Sequence, residues 1–173
     1  NYSYFEFHGE DTGYDTYTEN DKFVFDIQET NRWVYITYDA YTYTDAIIEV
    51  VASNRGKNNN NVSLICRYDA DKDTWYEFNI ANNGLYWIYA FDGKDYQPIY
   101  NGGSKAIKQG KDTNIYTVGC LGDTLSLYIN NVEARTVRDT NYRFNEGQVG
   151  FSVSSFDVTP ILVEVDTFTI AEP

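Results

Sequence analysis

Basic residues are scarce in this chain of 173 residues. Thirteen Lys and Arg stand against twenty-six Asp and Glu, so the formal net charge is −13 at pH 7. Proteins bind nucleic acid and anionic lipid through Lys and Arg side chains that neutralise phosphate charge. We therefore expect no nucleic acid and no anionic membrane surface among the partners of this chain.

Long apolar runs are also missing. No segment approaches the roughly 18 to 20 apolar residues that span a bilayer, and the N-terminal segment lacks the pattern of a signal peptide. We therefore expect no membrane insertion. The chain begins at Asn1 and contains no Met, from which we expect a piece of a larger parent protein, either excised or processed.

Histidine is limited to His8, and the G-x-S-x-G motif of a nucleophile elbow does not occur. A Ser-His-Asp triad is therefore not expected. A zinc site needs three or four His, Cys or carboxylate ligands at regular spacing, so it is not expected either. We interpret His8 as a polar surface residue.

Only two cysteines occur, Cys66 and Cys120, and neither belongs to a C-x-x-C motif. Each lies within a strand-like run. An even number of cysteines in an acidic chain rich in Tyr and Asn predicts one disulfide, formed in an oxidising compartment. Two buried free thiols are the alternative. We expect such a bridge to contribute stability and to have no redox function.

Alternating patterns dominate what the sequence does contain. Hydrophobic residues make up 42% of the chain and aromatic residues 17%, which is enough for a folded core. No window of eleven residues keeps helical spacing, whereas about a dozen segments alternate with a period of two. Turn residues such as Asn82-Asn83-Gly84 and Asp92-Gly93 separate them. The sequence therefore predicts an all-β fold, one domain over residues 1–173, with two packed antiparallel sheets.

Two acidic segments are candidates for binding calcium. Residues 1–30 contain eight acidic residues and one lysine, and the segment Asp69–Asp73 has the D-x-D-x-D spacing of a calcium loop. Thr74 and Ile80 stand where an EF-hand loop requires Gly and Glu, so an EF-hand is excluded. We expect no cofactor, and structural calcium remains an open alternative to plain solvated acidic turns.

A series of motifs runs from residue 46 to residue 170. Its central hairpins are Leu64–Ile80 and Asn83–Ile88, and its closing motifs are Gly147–Phe151 and Val163–Ile170. In their order these motifs resemble the concanavalin A-like, laminin-G-like β-sandwich domains of bacterial secreted or surface proteins. The resemblance implies a jelly-roll sandwich, an extracellular or cell-surface location, and carbohydrate as the first ligand class to expect.

Strand alternation indicates which side chains point away from the core. If Tyr76, Phe78 and Ile80 face the core, the residues between them face outward, and neighbouring strands follow the same rule. The predicted ligand-binding face contains Trp75, Trp87, Tyr89, Tyr128, Arg67, Glu49, Glu77 and Asn79. Such rings cover the apolar faces of a sugar, and the polar groups bind its hydroxyls. The alternative is that Trp and Tyr are present as ordinary strand formers.

Catalysis is not expected from this sequence. Retaining glycosidases need two carboxylates about 5 to 5.5 Å apart, and glucanases of the resembled fold carry them in an E-x-D-x-x-E run. Glu164 and Asp166 begin such a run, but Thr169 stands at its last position. Only Glu49 and Glu77 remain as a candidate pair across strands. The sequence therefore predicts a non-catalytic binding module. A structural or adhesion domain is the alternative, and a glycoside hydrolase is the third hypothesis.

Overall fold

The chain folds mainly into β-strands. The structure, a computed structural model, describes residues 2–6 and 10–173, so the interpretation of His8 lies outside the described residues. Over these residues it contains fourteen strands and no α-helix. Accordingly, no described segment is a helix long and apolar enough to cross a bilayer. The strands are β1 (Ser3–Glu6), β2 (Tyr14–Glu19), β3 (Lys22–Ile27), β4 (Arg32–Tyr43), β5 (Ala46–Asn54), β6 (Asn60–Asp69), β7 (Thr74–Ala81), β8 (Leu85–Asp92), β9 (Tyr96–Gly103), β10 (Thr113–Leu121), β11 (Thr124–Ile129), β12 (Val132–Arg138), β13 (Gly147–Ser155) and β14 (Ile161–Ala171).

These strands form two sheets of seven strands each. The first sheet has the order β1-β4-β13-β6-β7-β8-β9, and the second sheet has the order β12-β11-β10-β5-β14-β3-β2. Every pairing between neighbouring strands is antiparallel. The predicted all-β class with two antiparallel sheets is therefore confirmed.

The main hydrophobic core is built from both sheets. Alternate residues of β5 contribute Ile48 and Val50, and alternate residues of β7 contribute Tyr76, Phe78 and Ile80. Each of these side chains is buried, and burying one large apolar side chain contributes about 1.5 to 3 kcal/mol. The inward direction predicted for the three β7 residues is confirmed.

The structure adds two strands, β1 and β2, to those that alternation predicts. Each is an edge strand, because β1 pairs only with β4 and β2 pairs only with β3. Along β2 no side chain is fully buried. An edge strand with little burial carries no regular apolar face, which is why its alternation is weak in the sequence.

The acidic turn between β6 and β7 is organised by Asp69. Its Oδ1 accepts hydrogen bonds from the backbone N–H groups of Asp71 and Lys72 at 3.0 and 3.2 Å, and Lys72 Nζ donates to Oδ2 at 2.5 Å. The bond from Lys72 lowers the pKa of the Asp69 carboxyl. Among the described residues no group of three or more His, Cys, Asp or Glu side chains could hold a metal ion. Calcium binding therefore stays a prediction.

A disulfide joins the two sheets across the core. Cys66 lies on β6 in the first sheet and Cys120 on β10 in the second, with their Cα atoms 6.7 Å apart. Both residues are buried. The predicted pairing is confirmed, and the alternative of two free thiols is wrong.

Removal of the Cys66–Cys120 bridge should lower the free energy of unfolding by about 4 kcal/mol, because the bridge closes a long loop in the unfolded chain. The two cysteines are separated by 54 positions. Urea unfolding of the oxidised and the reduced protein measures this difference. A Cys66→Ser, Cys120→Ser variant is the control and should not respond to reductant. A reduced protein as stable as the oxidised one would contradict the prediction.

Candidate functional site

The outward face of the first sheet, which points away from the core, carries three rows of side chains across β7, β8 and β9. From β7 through β8 to β9, the register gives the rows Trp75–Phe91–Tyr96, Glu77–Tyr89–Pro98 and Asn79–Trp87–Asn101. On β8, Tyr86 and Ile88 enter the core. Trp87 and Tyr89 therefore face outward, as the alternation predicts.

The first of these rows belongs to an aromatic cluster of Tyr35, Tyr68, Trp75, Phe91 and Tyr96. Trp75 stacks on Phe91 with ring centroids 4.2 Å apart, and the rings of Tyr35 and Tyr68 meet it edge-on at 5.9 and 5.8 Å. Trp75 is 0% exposed. It faces outward as predicted, but it has no surface to offer a ligand because neighbouring rings cover it.

The second row places a carboxylate beneath this cluster. Glu77 is 0% exposed. Its Oε2 accepts hydrogen bonds from Tyr35 Oη at 2.9 Å and from Trp75 Nε1 at 3.0 Å, and its Oε1 accepts one from Asn79 Nδ2 at 3.2 Å. A buried charge is tolerated only where hydrogen bonds replace its lost hydration. These three donors supply that replacement.

Three tyrosines around Glu77 hold their protons strongly. Burial raises the pKa of Tyr35 well above its ordinary value, and the charge of Glu77 raises it further. Burial and then Glu77 also raise the pKa of Tyr96 and of Tyr89. The hydroxyls of Tyr35 and Tyr96 lie 2.5 Å apart. The phenols of Tyr35 and Tyr96 are therefore neutral hydrogen-bonding groups at neutral pH.

A groove of about 680 Å³ opens beside the aromatic cluster. The described residues of its lining combine aromatic rings, one proline and three amides, and none of them is charged. The lining residues are Trp33, Asn61, Asn79, Trp87, Tyr89, Tyr96, Pro98, Asn101 and Phe156. Trp33 and Phe156 meet edge-on with ring centroids 5.8 Å apart. The volume lies within the range of ligand sites in proteins, roughly 300 to 1,000 Å³.

The floor next to this groove is made of small polar side chains. Asn61 Nδ2 donates a hydrogen bond to Asn79 Oδ1. Across the strands, Ser154 lies opposite Asn61, and Ser63 lies opposite both Asn79 and Ser152. The hydroxyls of these three serines are buried and have no hydrogen-bond partner among the described residues. Unpartnered buried polar groups are rare in folded proteins.

Sandwiches of the same shape occur among solved structures, although the chain matches no protein-family model and no curated protein. The carbohydrate-binding module CBM66 from Bacillus subtilis is 16% identical with a TM-score of 0.69, over 93% of this chain and 96% of that one. The legume lectin-like domain from Entamoeba histolytica is 13% identical with a TM-score of 0.71, over 100% and 90%. The fold is a lectin-like jelly-roll sandwich. A mixed linkage glucan GH16 protein of Bacteroides ovatus, in complex with a product, shares it at 10% identity and a TM-score of 0.69, over 98% and 94%.

The jelly roll brings five of the eight predicted site residues to one face and separates two others from them. Trp75, Glu77, Asn79, Trp87 and Tyr89 share the outward face of the first sheet. Two others, Glu49 on β5 and Tyr128 on β11, belong to the second sheet. Both of these strands pair with β10.

Glu49 and Tyr128 instead flank Thr117 on β10. Thr117 Oγ1 donates to Glu49 Oε2 at 3.1 Å. The prediction of one common face was therefore wrong for this pair, because alternation along a strand carries no information about which sheet the strand joins.

Arg67 is also not part of the face. It is 4% exposed and has φ 55° at an irregularity in the pairing of β6. Its guanidinium donates to the backbone oxygens of Thr44 at 3.1 Å and Phe144 at 2.7 Å and to Asp45 Oδ1 at 3.3 Å. The outward direction predicted for Arg67 is corrected, since the bulge breaks the alternation and the side chain ties connecting segments together.

Several groove residues were missed from the sequence. Trp33 on β4 and Pro98 and Asn101 on β9 come from strands to which the alternation rule was not applied, and Asn61 lies in a run of asparagines that resembles a mobile loop. The same rule would have found Trp33 on β4, but on β9 it would have found only one of Pro98 and Asn101, because a register shift between them breaks the alternation. Phe156 follows β13 in a connecting segment, where no periodic signal exists.

Tyr35 and Tyr96, which are buried beside Glu77 and have raised pKa values, should ionise only as the protein unfolds. Their folded pKa values exceed the unfolded value near 10, so their contribution to stability is complete below about pH 10 and is lost at higher pH. A tyrosinate absorbance titration followed together with circular dichroism should show a late phase that coincides with unfolding. Tyr35→Phe should remove one tyrosine from this late phase. Complete ionisation with the fold intact would contradict the prediction.

Proposed function

We propose that this chain is a non-catalytic module that binds carbohydrate in the groove on the outward face of the first sheet. The position of Trp87 carries the proposal. Its half-buried indole lies between two amides, with Asn79 directly across on β7 and Asn101 directly across on β9. An indole covers the C–H face of a sugar ring, and flanking amides donate to and accept from its hydroxyls.

The groove offers this arrangement on a rigid support. Trp87 and Tyr89 are side chains of a strand in the interior of the sheet, with β7 on one side and β9 on the other. Site residues on strands lose less freedom on binding than residues on loops, which favours affinity. The lining has no charged side chain among the described residues, which is consistent with a sugar ligand that is bound through hydroxyls.

The comparisons support the same ligand class. Two of the similar structures are a carbohydrate-binding module and a legume lectin-like domain. A shared fold carries many functions, so the proposal depends on the groove residues. A laminin-G-like relationship and a bacterial secreted origin remain predictions.

The geometry gives no support to hydrolysis. Glu49 and Glu77, the only carboxylate pair that the sequence offered, lie on different sheets. Glu164 is held by Arg55 and by Lys22, whose Nζ is 3.6 Å from its Oε2. Glu77 has both oxygens occupied by donors. We therefore propose that no carboxylate of this set acts as an acid or a nucleophile.

We further propose an extracellular or cell-surface location. The Cys66–Cys120 disulfide supports it, because such bridges form and persist in oxidising compartments. A structural or adhesion role is the alternative. Three exposed tyrosines, Tyr2, Tyr4 and Tyr41, supply a surface for protein contacts in that case.

Replacement of Trp87 by Ala should weaken glycan binding by about 30-fold or more, the loss typical of a central binding residue. Affinity electrophoresis against neutral polysaccharides (glucan, mannan, xylan, galactan and fructan), with calcium or with chelator, identifies the ligand, and calorimetry measures the dissociation constant. Tyr128→Ala, on the other sheet, is the matched control and should bind as the wild type does.

Three other outcomes of this experiment would each change the interpretation. A loss in Tyr128→Ala with retention in Trp87→Ala would move the site to the second sheet. Sugar release from a polysaccharide would establish a hydrolase. Absence of binding to all of the polysaccharides in both calcium conditions would favour the structural or adhesion role.

A further inference from the structure

The orientation of two groove amides can be traced to one carboxylate. Tyr35 Oη and Trp75 Nε1 both donate to Oε2 of Glu77, and a carboxylate in its ordinary charged form only accepts hydrogen bonds. Asn79 must therefore turn its Nδ2 toward Glu77. Its Oδ1 then faces Asn61, which must in turn present its own Nδ2, as the structure shows. The amide oxygen of Asn61 is left over.

No other neighbour imposes an orientation on this pair of amides. Ser63 lies opposite Asn79, and Ser154 lies opposite Asn61. A hydroxyl donates or accepts according to its rotation, so a serine adapts to either orientation of an amide. Among the described groups bonded to these amides, only Glu77 has a fixed hydrogen-bonding polarity.

We propose that Glu77 is a positioning residue that sets the polarity of the groove, so that Asn61 offers the acceptor Oδ1 to a hydroxyl of the ligand. Asn61 lines the groove, and its Oδ1 accepts no hydrogen bond from the described residues. This inference rests on the proposed carbohydrate function and narrows it to uncharged, hydroxyl-bearing sugars. Uronate and sulfate groups cannot donate to Oδ1, and the part of the lining that the structure describes contains no Lys or Arg that would bind them.

The variant Glu77→Gln should invert this arrangement with little steric change. Tyr35 and Trp75 both donate to the Oε2 position, so they retain the amide oxygen of Gln there and direct its nitrogen toward Asn79. Both asparagines then turn over, and Asn61 presents a donor to the groove. We expect affinity for the neutral polysaccharide to fall about tenfold or more.

A second substitution should restore the original polarity. In Glu77→Gln, Asn61→Asp, residue 61 accepts from Asn79 with one carboxylate oxygen and offers the other to the ligand, and the net charge equals that of the wild type. We expect the dissociation constant to return to within about threefold of the wild-type value. Glu77→Gln, Asn101→Asp is the matched control, since it places the same charge in the groove outside the amide pair, and it should not recover.

Urea unfolding of the same variants tests the amide pair without any ligand. Asn61→Asp alone sets a carboxylate against Asn79 Oδ1 and should lower the unfolding midpoint, as should Glu77→Gln, whereas the double variant should regain part of the loss. If Glu77→Gln does not fold by circular dichroism, recovery of the fold in the double variant is the readout. Additive losses in stability, or no recovery of the fold, would overturn the proposal.

The binding experiment separates this proposal from the function on which it rests. Recovery of stability in the double variant without binding of any polysaccharide would leave the amide arrangement standing, but it would end both the carbohydrate function and the ligand role of Asn61. Wild-type binding by Glu77→Gln would overturn the role of Glu77 while leaving the carbohydrate function intact. Binding of polygalacturonate or heparin as tight as that of the neutral polymer would overturn the narrowing to uncharged sugars.

Discussion

Both faces of the first sheet are filled with large side chains, and the rest of the site depends on this constraint. A sandwich needs only one buried face per sheet. Here β7 buries Phe78 in the core and Trp75 within the aromatic cluster on the opposite face. A polar group on the outward face next to this cluster, such as Glu77, loses its water. Glu77 is therefore held by protein donors instead, and those donors acquire fixed orientations.

The groove follows from how side-chain size changes across this face. The row of Trp75, Phe91 and Tyr96 is built of rings and is closed. Two rows away, the short side chains of Asn79 and Asn61 line the groove, and Trp87 stands beside them. The site is thus an interruption in an otherwise packed aromatic face, with its walls made of rings and its floor of short polar groups.

The described residues that line this opening are uncharged, in a chain that carries a net charge of −13. The carboxylate that bonds to the lining residue Asn79 is that of Glu77, which is enclosed and hydrogen-bonded. On the second sheet, Glu164 is paired with Lys22 and Arg55. This arrangement differs from an exposed acidic patch. The Glu77 carboxylate is buried, so it acts on the groove through the amides that it orients and not through a surface of its own.

The sequence by itself determined the fold class, the disulfide partners and the facing of side chains along β7 and β8, since a period of two is a local property that any strand displays. Trp87, Tyr89, Glu77 and Asn79 were found in this way. Only the tertiary structure decided that Glu49 and Tyr128 belong to the other sheet and that neighbouring rings enclose Trp75. It also decided that Arg67, at a bulge in β6, is buried and bonds to the segments that connect the strands. Strand order and register are set by contacts between segments far apart in the chain, and alternation within one segment carries no record of them.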